Sequence, residues 1–159
     1  MKSILEFLEK DARLTAKEIA VMTKNDEGDI KKAIAEYESN GTILGYQALI
    51  DWDKTDREYV SAVIELKITP QRDRGFDKVA EKIYAYDEVQ SLYLMSGAYD
   101  LHLIIEGRTM REVAQFVAAK LAPLESVLST STHFVLKKYK DKGVVYGTDD
   151  TDERGNCLI

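Results

Sequence analysis

The first forty residues carry apolar positions at helical spacing, separated by polar breaks. Ile4, Phe7 and Leu8 fall on one face of a helix, and a polar break follows them. Thr15 and Glu18 then have the spacing of a capping box, in which each side chain accepts a hydrogen bond from the other residue's backbone N–H. The pattern therefore predicts two short helices.

A third helix is predicted after a turn of only a few residues. The second helix ends at residues 23–25, Asp26 is placed to cap the third, and Gly41 suits the left-handed position just past its last turn. The inward positions are Ile19 and Met22 on the second helix, and Ile30, Ala33, Ile34 and Tyr37 on the third. Three short helices with a tight turn between the last two predict a helix-turn-helix.

Residues 42–58 connect this module to the rest of the chain. Apolar side chains alternate with other residues from Leu44 to Ile50, and Gly45 permits a bend, so we predict a β-ribbon or wing there rather than a fourth helix. Residues 51–58 are polar around Trp52 and show no periodicity, which is typical of a linker. The first module is therefore predicted to be a winged helix-turn-helix over residues 1–50.

Beyond the linker the period of the apolar pattern changes to that of strands. The predicted order begins with a strand over 59–68 and a helix after Pro70. A hairpin follows, with strands over 89–96 and 99–106 closed by a short turn at Gly97 and Ala98. A second helix from Met110 to Leu121 and a last strand over 127–139 complete the order. This βαββαβ order predicts a ferredoxin-like domain over 59–140, in which two helices cover one face of a four-stranded antiparallel sheet. The fold class is therefore α+β, and residues 141–159 are predicted to be a polar, mobile tail.

The other face of the predicted sheet stays open. If Leu101, Leu103 and Ile105 face the helices, the alternate side chains of the same strand, Asp100, His102, Ile104 and Glu106, lie on the open face. Such a mixed polar and apolar surface suits a partner subunit, so we expect association of the chain with itself.

Charge and composition limit the classes of function. The 159 residues are 45% hydrophobic, enough for a core, and a net charge of −6 argues against a protein that coats nucleic acid by charge alone. Residues 1–45 hold seven basic and nine acidic side chains, so any DNA contact must be local. The N-terminus has no long apolar run and the single Cys157 has no partner cysteine, which predicts a cytoplasmic protein without a disulfide.

Four sequence runs resemble the Lrp/AsnC family of feast/famine regulators, named for the leucine-responsive regulatory protein. They are LTAKEIA at 14–20, YESNGTILGY at 37–46, SGAYDL at 96–101 and TSTHFVL at 130–136. The resemblance implies DNA binding through the third helix, a ferredoxin-like domain of the RAM type, and dimers that often assemble into octamers. It also implies small effectors, commonly amino acids, bound at contacts between dimers.

The predicted DNA-reading helix departs from this family. Where the family usually has Ser or Thr and several Arg, this chain has acids at residues 26, 27 and 29, and carboxylates there repel phosphates. Lys31 and Lys32 lie off the apolar stripe and are candidates for phosphate or guanine contacts, to which Lys24 in the turn and Gln47 in the wing add. The alternative is a solvated helix face.

Candidate effector-binding residues lie in the second module. Gly97 suits a hairpin turn with positive φ, and the exposed N–H groups of such a turn can hold a carboxylate, while Asp100 offers a negative charge to an α-ammonium group. Together they are predicted to hold a free amino acid; the alternative for Asp100 is a structural hydrogen bond at the turn. The family resemblance adds Tyr99, His133, Phe134 and Val135 as effector-cleft residues, although aromatic residues on a strand also serve as core or interface.

The sequence favours a regulator over an enzyme. His102 and His133 lie on different strands without a cluster of ligands at metal-binding spacing, so no metal site is predicted. The sequence shows no paired nucleophile and base and no glycine-rich phosphate loop, so no catalytic residue or cofactor is predicted either. One alternative is an enzyme like the decarboxylases of siroheme-type tetrapyrroles, which resemble this architecture. The carboxylates of such a substrate call for clustered arginines, but the arginines of this chain are scattered: Arg57, Arg72, Arg74, Arg108 and Arg111. Another is a sensor or assembly partner without DNA binding.

Overall fold

The chain divides into two compact units, Met1–Ile50 and Asp51–Ile159. The computed structural model describes residues 3–69 and 75–147. Pro70, Cys157 and the tail beyond residue 147 therefore lie outside the described residues.

The first unit consists of three helices, α1 (Ile4–Lys10), α2 (Ala16–Thr23) and α3 (Glu27–Ser39). The predicted capping box opens α2: Glu18 N–H donates to Thr15 Oγ1 over 3.3 Å, and Thr15 N–H donates to Glu18 Oε2 over 2.8 Å. Asp26 caps α3 as predicted, and Gly41 follows that helix with a φ of +76°. Only residues 24–26 separate α2 from α3, so the predicted helix-turn-helix arrangement of the elements is present.

The core of the first unit is small. Its buried apolar members are Leu8, Ile19, Ala20 and Ile30, and the partly buried residues packed against them include Phe7, Leu14 and Ile34. The prediction that Met22 points inward is wrong, because its side chain is 52% exposed and the inward face of α2 is formed by Ile19, Ala20 and Thr23. The Thr23 hydroxyl is satisfied in this core by donating to the Ile19 carbonyl over 2.8 Å.

The β-ribbon predicted over 42–50 is not formed. None of these residues belongs to a strand, and Leu44 is 94% exposed. A strand exists only when a second strand accepts and donates its hydrogen bonds, and the other described elements of this unit are helices. Alternation of side chains alone therefore does not produce a ribbon in a single copy of the chain.

The second unit contains the βαββαβ order. Its elements are β1 (Val60–Ile68), α4 (Asp77–Tyr84), β2 (Val89–Leu94), β3 (Leu101–Gly107), α5 (Met110–Phe116, extended by a π turn over Val117–Leu121) and β4 (Val127–Phe134). Neighbouring strands are antiparallel, in the order β2-β3-β1-β4. The predicted ferredoxin-like sheet is confirmed.

Strand alternation assigns the two faces of the sheet as predicted. On the helix side, Ala62, Ile64, Leu66, Ile68, Leu101, Leu103 and Ile105 are buried against Val79, Ile83, Val113, Phe116 and Leu121. His102, Ile104 and Glu106 alternate with the buried positions of β3 and lie on the open face. The open face of one chain is therefore a continuous surface of mixed polarity.

The last strand is shorter than predicted. β4 ends at Phe134, which pairs with Ala62 of β1, and Val135 N–H makes one further bond, to the Ser61 carbonyl, over 2.9 Å. The chain then forms a two-residue-strand hairpin, β5 (Lys140–Asp141) and β6 (Val144–Val145), within the segment expected to be a tail.

The segment predicted to be a linker has local structure. Trp52–Lys54 form a single 3-10 turn. The Arg57 guanidinium lies 4.2 Å from the centre of the Trp52 ring, a cation–π contact that holds the segment together.

Candidate functional site

The turn of the helix-turn-helix presents Lys24. This residue ends α2 with a left-handed backbone, φ +57° and ψ +37°, and its N–H donates to the Ala20 carbonyl. A left-handed conformation is costly for a residue with a Cβ, and glycine or asparagine is the usual choice there. The side chain of Lys24 is exposed, so its charge is presented at the turn.

Carboxylates occupy the N-terminus of α3. The Asp26 carboxylate accepts the Gly28 N–H over 2.7 Å, and Glu27 Oε1 lies 2.6 Å from Lys31 Nζ. The hydrogen bond to Glu27 and its charge raise the pKa of the Lys31 ammonium. The positive charge of Lys31 is therefore balanced within its own helix, whereas Lys32 lies on the exposed surface of the same helix.

Gly28 has a role that the sequence analysis missed. A Cβ built on Gly28 would lie 2.8 Å from Asp26 Oδ2, closer than side-chain contacts permit. A side chain at residue 28 would therefore require the Asp26 carboxylate to shift slightly, and this shift costs little because the carboxylate is the end of a flexible side chain. The signal was present in the sequence as a glycine two residues after a capping aspartate.

Asp100 connects two strands of the second unit. Its Oδ2 accepts the Ile68 N–H over 2.9 Å and its Oδ1 lies 3.0 Å from Lys67 Nζ, while its own N–H donates to the Leu66 carbonyl over 2.9 Å. The Ile68 hydrogen bond, and then that from Lys67, lower the pKa of the Asp100 carboxyl. Both oxygens therefore have structural partners, which is the alternative that the sequence left open for this residue.

Gly97 lies in the loop between β2 and β3. The Met95 N–H donates to the Asp100 carbonyl over 2.8 Å, so the loop proper spans residues 96–99 and is longer than the predicted two-residue turn. Gly97 has a φ of +156°, as expected for a glycine with positive φ, and no atom lies within 4 Å of where its Cβ would be. The glycine is required by its backbone conformation and not by crowding.

Tyr99 lies in the same loop as Gly97, whereas His133, Phe134 and Val135 lie near the other end of β1. His133 pairs with Val63, and its Nε2 lies 3.0 Å from Ser131 Oγ and 3.4 Å from Glu65 Oε2. Phe134 packs partly into the core, while Val135 is 38% exposed. The sequence analysis did not single out Glu65, although strand alternation places it on the open face.

One chain does not bring these two groups together. The loop carrying Gly97 and Asp100 is bonded to Leu66 and Ile68, whereas His133 is opposite Val63. Three to five residues of extended strand separate these positions, which corresponds to about 10–16 Å. The six predicted effector residues therefore form two groups in a single copy.

A polar row crosses the open face between these groups. Register places Tyr93, His102, Glu65 and Ser131 side by side on the four strands, and the Tyr93 and His102 rings are 6.2 Å apart.

Within residues 3–69 and 75–147 no three His, Cys, Asp or Glu side chains are grouped as metal ligands. In that part of the chain, no helix is both long and apolar enough to cross a bilayer.

Two of the arginines considered for the enzyme alternative have other partners in the structure. Arg57 stacks on Trp52, and Arg108 lies 3.3 Å from Glu58, while Arg72 and Arg74 lie outside the described residues. A cavity of about 280 Å³ opens between α4 and β2, bordered by Tyr84 among others. It contains none of the predicted effector residues.

Comparison with known proteins identifies the family. The family model for the Lrp/AsnC ligand binding domain matches residues 61–145. An uncharacterized HTH-type transcriptional regulator, YugG, of Bacillus subtilis is 49% identical over 95% of this chain and 92% of its own length. An uncharacterized HTH-type transcriptional regulator of Pyrococcus furiosus is 34% identical over 82% of this chain and 86% of its own.

The fold also has solved counterparts. A transcriptional regulator of Neisseria meningitidis, solved as a complex with L-Met, matches 87% of this chain and 88% of its own with a TM-score of 0.71 and 24% identity. The structural similarity at 24% identity shows the shared fold, whereas the sequence identities of 49% and 34% show the family. This chain belongs to the Lrp/AsnC family.

Proposed function

We propose that this protein is a DNA-binding transcription regulator whose second unit responds to an amino acid or a related metabolite. The observation that carries the proposal is the capped α2–turn–α3 unit, joined in one chain to a βαββαβ domain of the family's ligand-binding type. A regulator acts where the chromosome is, so we place the protein in the cytoplasm.

The DNA contacts are proposed to be made by Lys24, Lys31, Lys32 and Gln47. Lys24 and Lys32 are the stronger candidates, because Lys31 is already paired with Glu27. Lysines contact phosphates as point charges, and they set the affinity and its dependence on salt more than its sequence specificity.

Selection of bound fragments from the source genome, followed by gel-shift titration of the recovered DNA, tests this proposal. Lys31→Ala with Lys32→Ala should abolish binding, whereas Lys78→Ala with Lys82→Ala, which removes the same charge from exposed positions of α4, should not. An unchanged affinity and salt dependence in the first variant would contradict the assignment. If the unmodified protein enriches no fragment, the sensor without DNA binding becomes the better description.

The effector is proposed to be a free amino acid, as in the Neisseria relative solved with L-Met. Because its candidate residues form two groups about 10–16 Å apart along β1 in one chain, we infer that the complete site uses groups from two copies. The loop N–H groups around Gly97 and the side chains near His133 are its two halves, with Asp100 holding the loop in position. Calorimetric titration with the common amino acids tests this, and Gly97→Val should remove any heat that the unmodified protein gives.

We further propose a homodimer that assembles to an octamer through the open sheet face and adjoining surfaces. Val63 and Ile104, which lie half-buried on that face in one chain, would then be covered. Sedimentation velocity with and without the amino acid tests whether ligand shifts the assembly. Absence of spectral change on addition of a siroheme-type tetrapyrrole would dispose of the enzyme alternative.

A further inference from the structure

The region after β4 is the most basic stretch of an otherwise acidic chain. Four lysines, Lys137, Lys138, Lys140 and Lys142, occur within six residues that also hold one acid, Asp141, whose Oδ2 lies 3.5 Å from Lys138 Nζ, while the whole protein carries a net charge of −6. We name residues 137–146 the lysine hairpin, because β5 and β6 lie within it.

Tyrosines of the hairpin order two of these lysines. Lys137 Nζ lies 5.0 Å from the centre of the Tyr139 ring, and Lys138 Nζ lies 5.2 Å from that of Tyr146. Cation–π contacts of this kind limit the freedom of the side chains while leaving the charge in place. The hairpin therefore carries its lysines on an ordered backbone, with two of the side chains held by tyrosine rings.

The tip of the hairpin retains a lysine at a conformational cost. Lys142 and Gly143 form a two-residue turn with φ values of +44° and +83°, a geometry for which Asn-Gly is strongly preferred. Within the described residues, two that are not glycine have a left-handed backbone, and both are lysines: Lys142 here and Lys24 in the helix-turn-helix. Strain of this kind persists mostly at functional positions.

We propose that the lysine hairpin is a second DNA-contacting element, which binds phosphates of the duplex. The inference rests on the proposed DNA-binding function. It supplies what the first unit lacks: residues 1–45 hold more acids than bases, and α3 begins with carboxylates. Lysine is a compact charge suited to phosphate oxygens, and such contacts raise affinity without reading sequence.

The test compares full-length variants, so that the acidic residues beyond the hairpin remain constant. Lys140→Gln with Lys142→Asn removes two charges, and asparagine is tolerated in the left-handed turn. Lys78→Gln with Lys82→Gln is the matched control, because it removes the same charge from exposed positions on α4. Affinity for a recovered genomic fragment is measured by fluorescence anisotropy between about 50 and 200 mM salt, the range in which phosphate contacts dominate.

Each lost phosphate contact makes the slope of log affinity against log salt shallower by about 0.9. For each protomer bound to the DNA, two lost contacts correspond to an affinity advantage of the unmodified protein that shrinks about tenfold across that salt range. The control pair should keep the slope of the unmodified protein, and Lys142→Arg should keep most of it. The hairpin variant should unfold at the same temperature as the unmodified protein or higher.

Two results overturn the proposal. The first is an unchanged slope in the hairpin variant; the second is an equal loss in the control pair, which would show that only total charge matters. If the hairpin variant binds normally while Lys31→Ala with Lys32→Ala does not bind, the hairpin role fails and the regulator function stands. If the unmodified protein binds no DNA, both fail.

Discussion

Replacement of Lys24 should separate stability from DNA affinity. A left-handed backbone destabilises a residue with a Cβ by about 1 kcal/mol, and glycine at residue 24 removes this strain. Part of the stabilisation is offset because glycine has greater conformational freedom in the unfolded chain. Lys24→Gly should therefore raise the unfolding free energy of the first unit by about 0.5 kcal/mol. If Lys24 makes the proposed phosphate contact, the same change should make the slope of log DNA affinity against log salt shallower by about 1.

Lys24→Gln is the control that separates the two effects. It removes the charge and retains the strained backbone, so it should lose the same salt slope without any gain in stability. Amide hydrogen exchange within α2 reports the stability of that helix separately from the second unit. The reasoning is refuted if Lys24→Gly destabilises α2, or if neither variant changes the salt slope.

Three further predictions concern the turns and caps. Gly97→Ala should destabilise the second unit by about 1 kcal/mol in chemical denaturation, despite the open space around it, because its φ of +156° is rarely adopted by residues with a side chain. Hydrogen bonds from the Ile68 N–H and then from Lys67 lower the pKa of the Asp100 carboxyl. The stability that this carboxylate contributes should therefore be complete above the ordinary aspartate pKa of about 3.9 and be lost as the pH falls through the lowered pKa. Asp100→Asn should therefore weaken the acid dependence of unfolding measured by circular dichroism. Asp26→Ala should cost about 1 kcal/mol of α3 stability in chemical denaturation, because the Gly28 N–H loses its acceptor; Asp26→Asn should retain most of it, and equal losses in the two variants would contradict the cap.

Local signals in the sequence predicted the elements that depend on neighbours along the chain. Thr15 and Glu18 placed the start of α2, and Asp26 placed the start of α3, because a cap uses groups three residues or fewer away. Alternation also assigned the two faces of β1 and β3. The order of these elements then limited the second unit to a ferredoxin-like sheet.

Features that depend on distant partners were not predictable in the same way. The length of β4 depends on how far it pairs with β1, and the apolar alternation of 42–50 forms no strand because one copy offers it no partner. Asp100 likewise gave a clear sequence signal, but its bond to the Ile68 N–H spans 32 residues and depends on strand register. Sequence therefore identified the candidate residue and left its role open.

If the two proposed effector groups along β1 form a complete site only between copies, retention of the ligand depends on protein concentration. If neither half holds the amino acid alone, dilution below the dissociation constant of the assembly releases ligand even when free amino acid is abundant. An apparent affinity measured at low protein concentration would then report the association of subunits, and a cell could change the response to a constant nutrient level by changing the amount of this protein it makes.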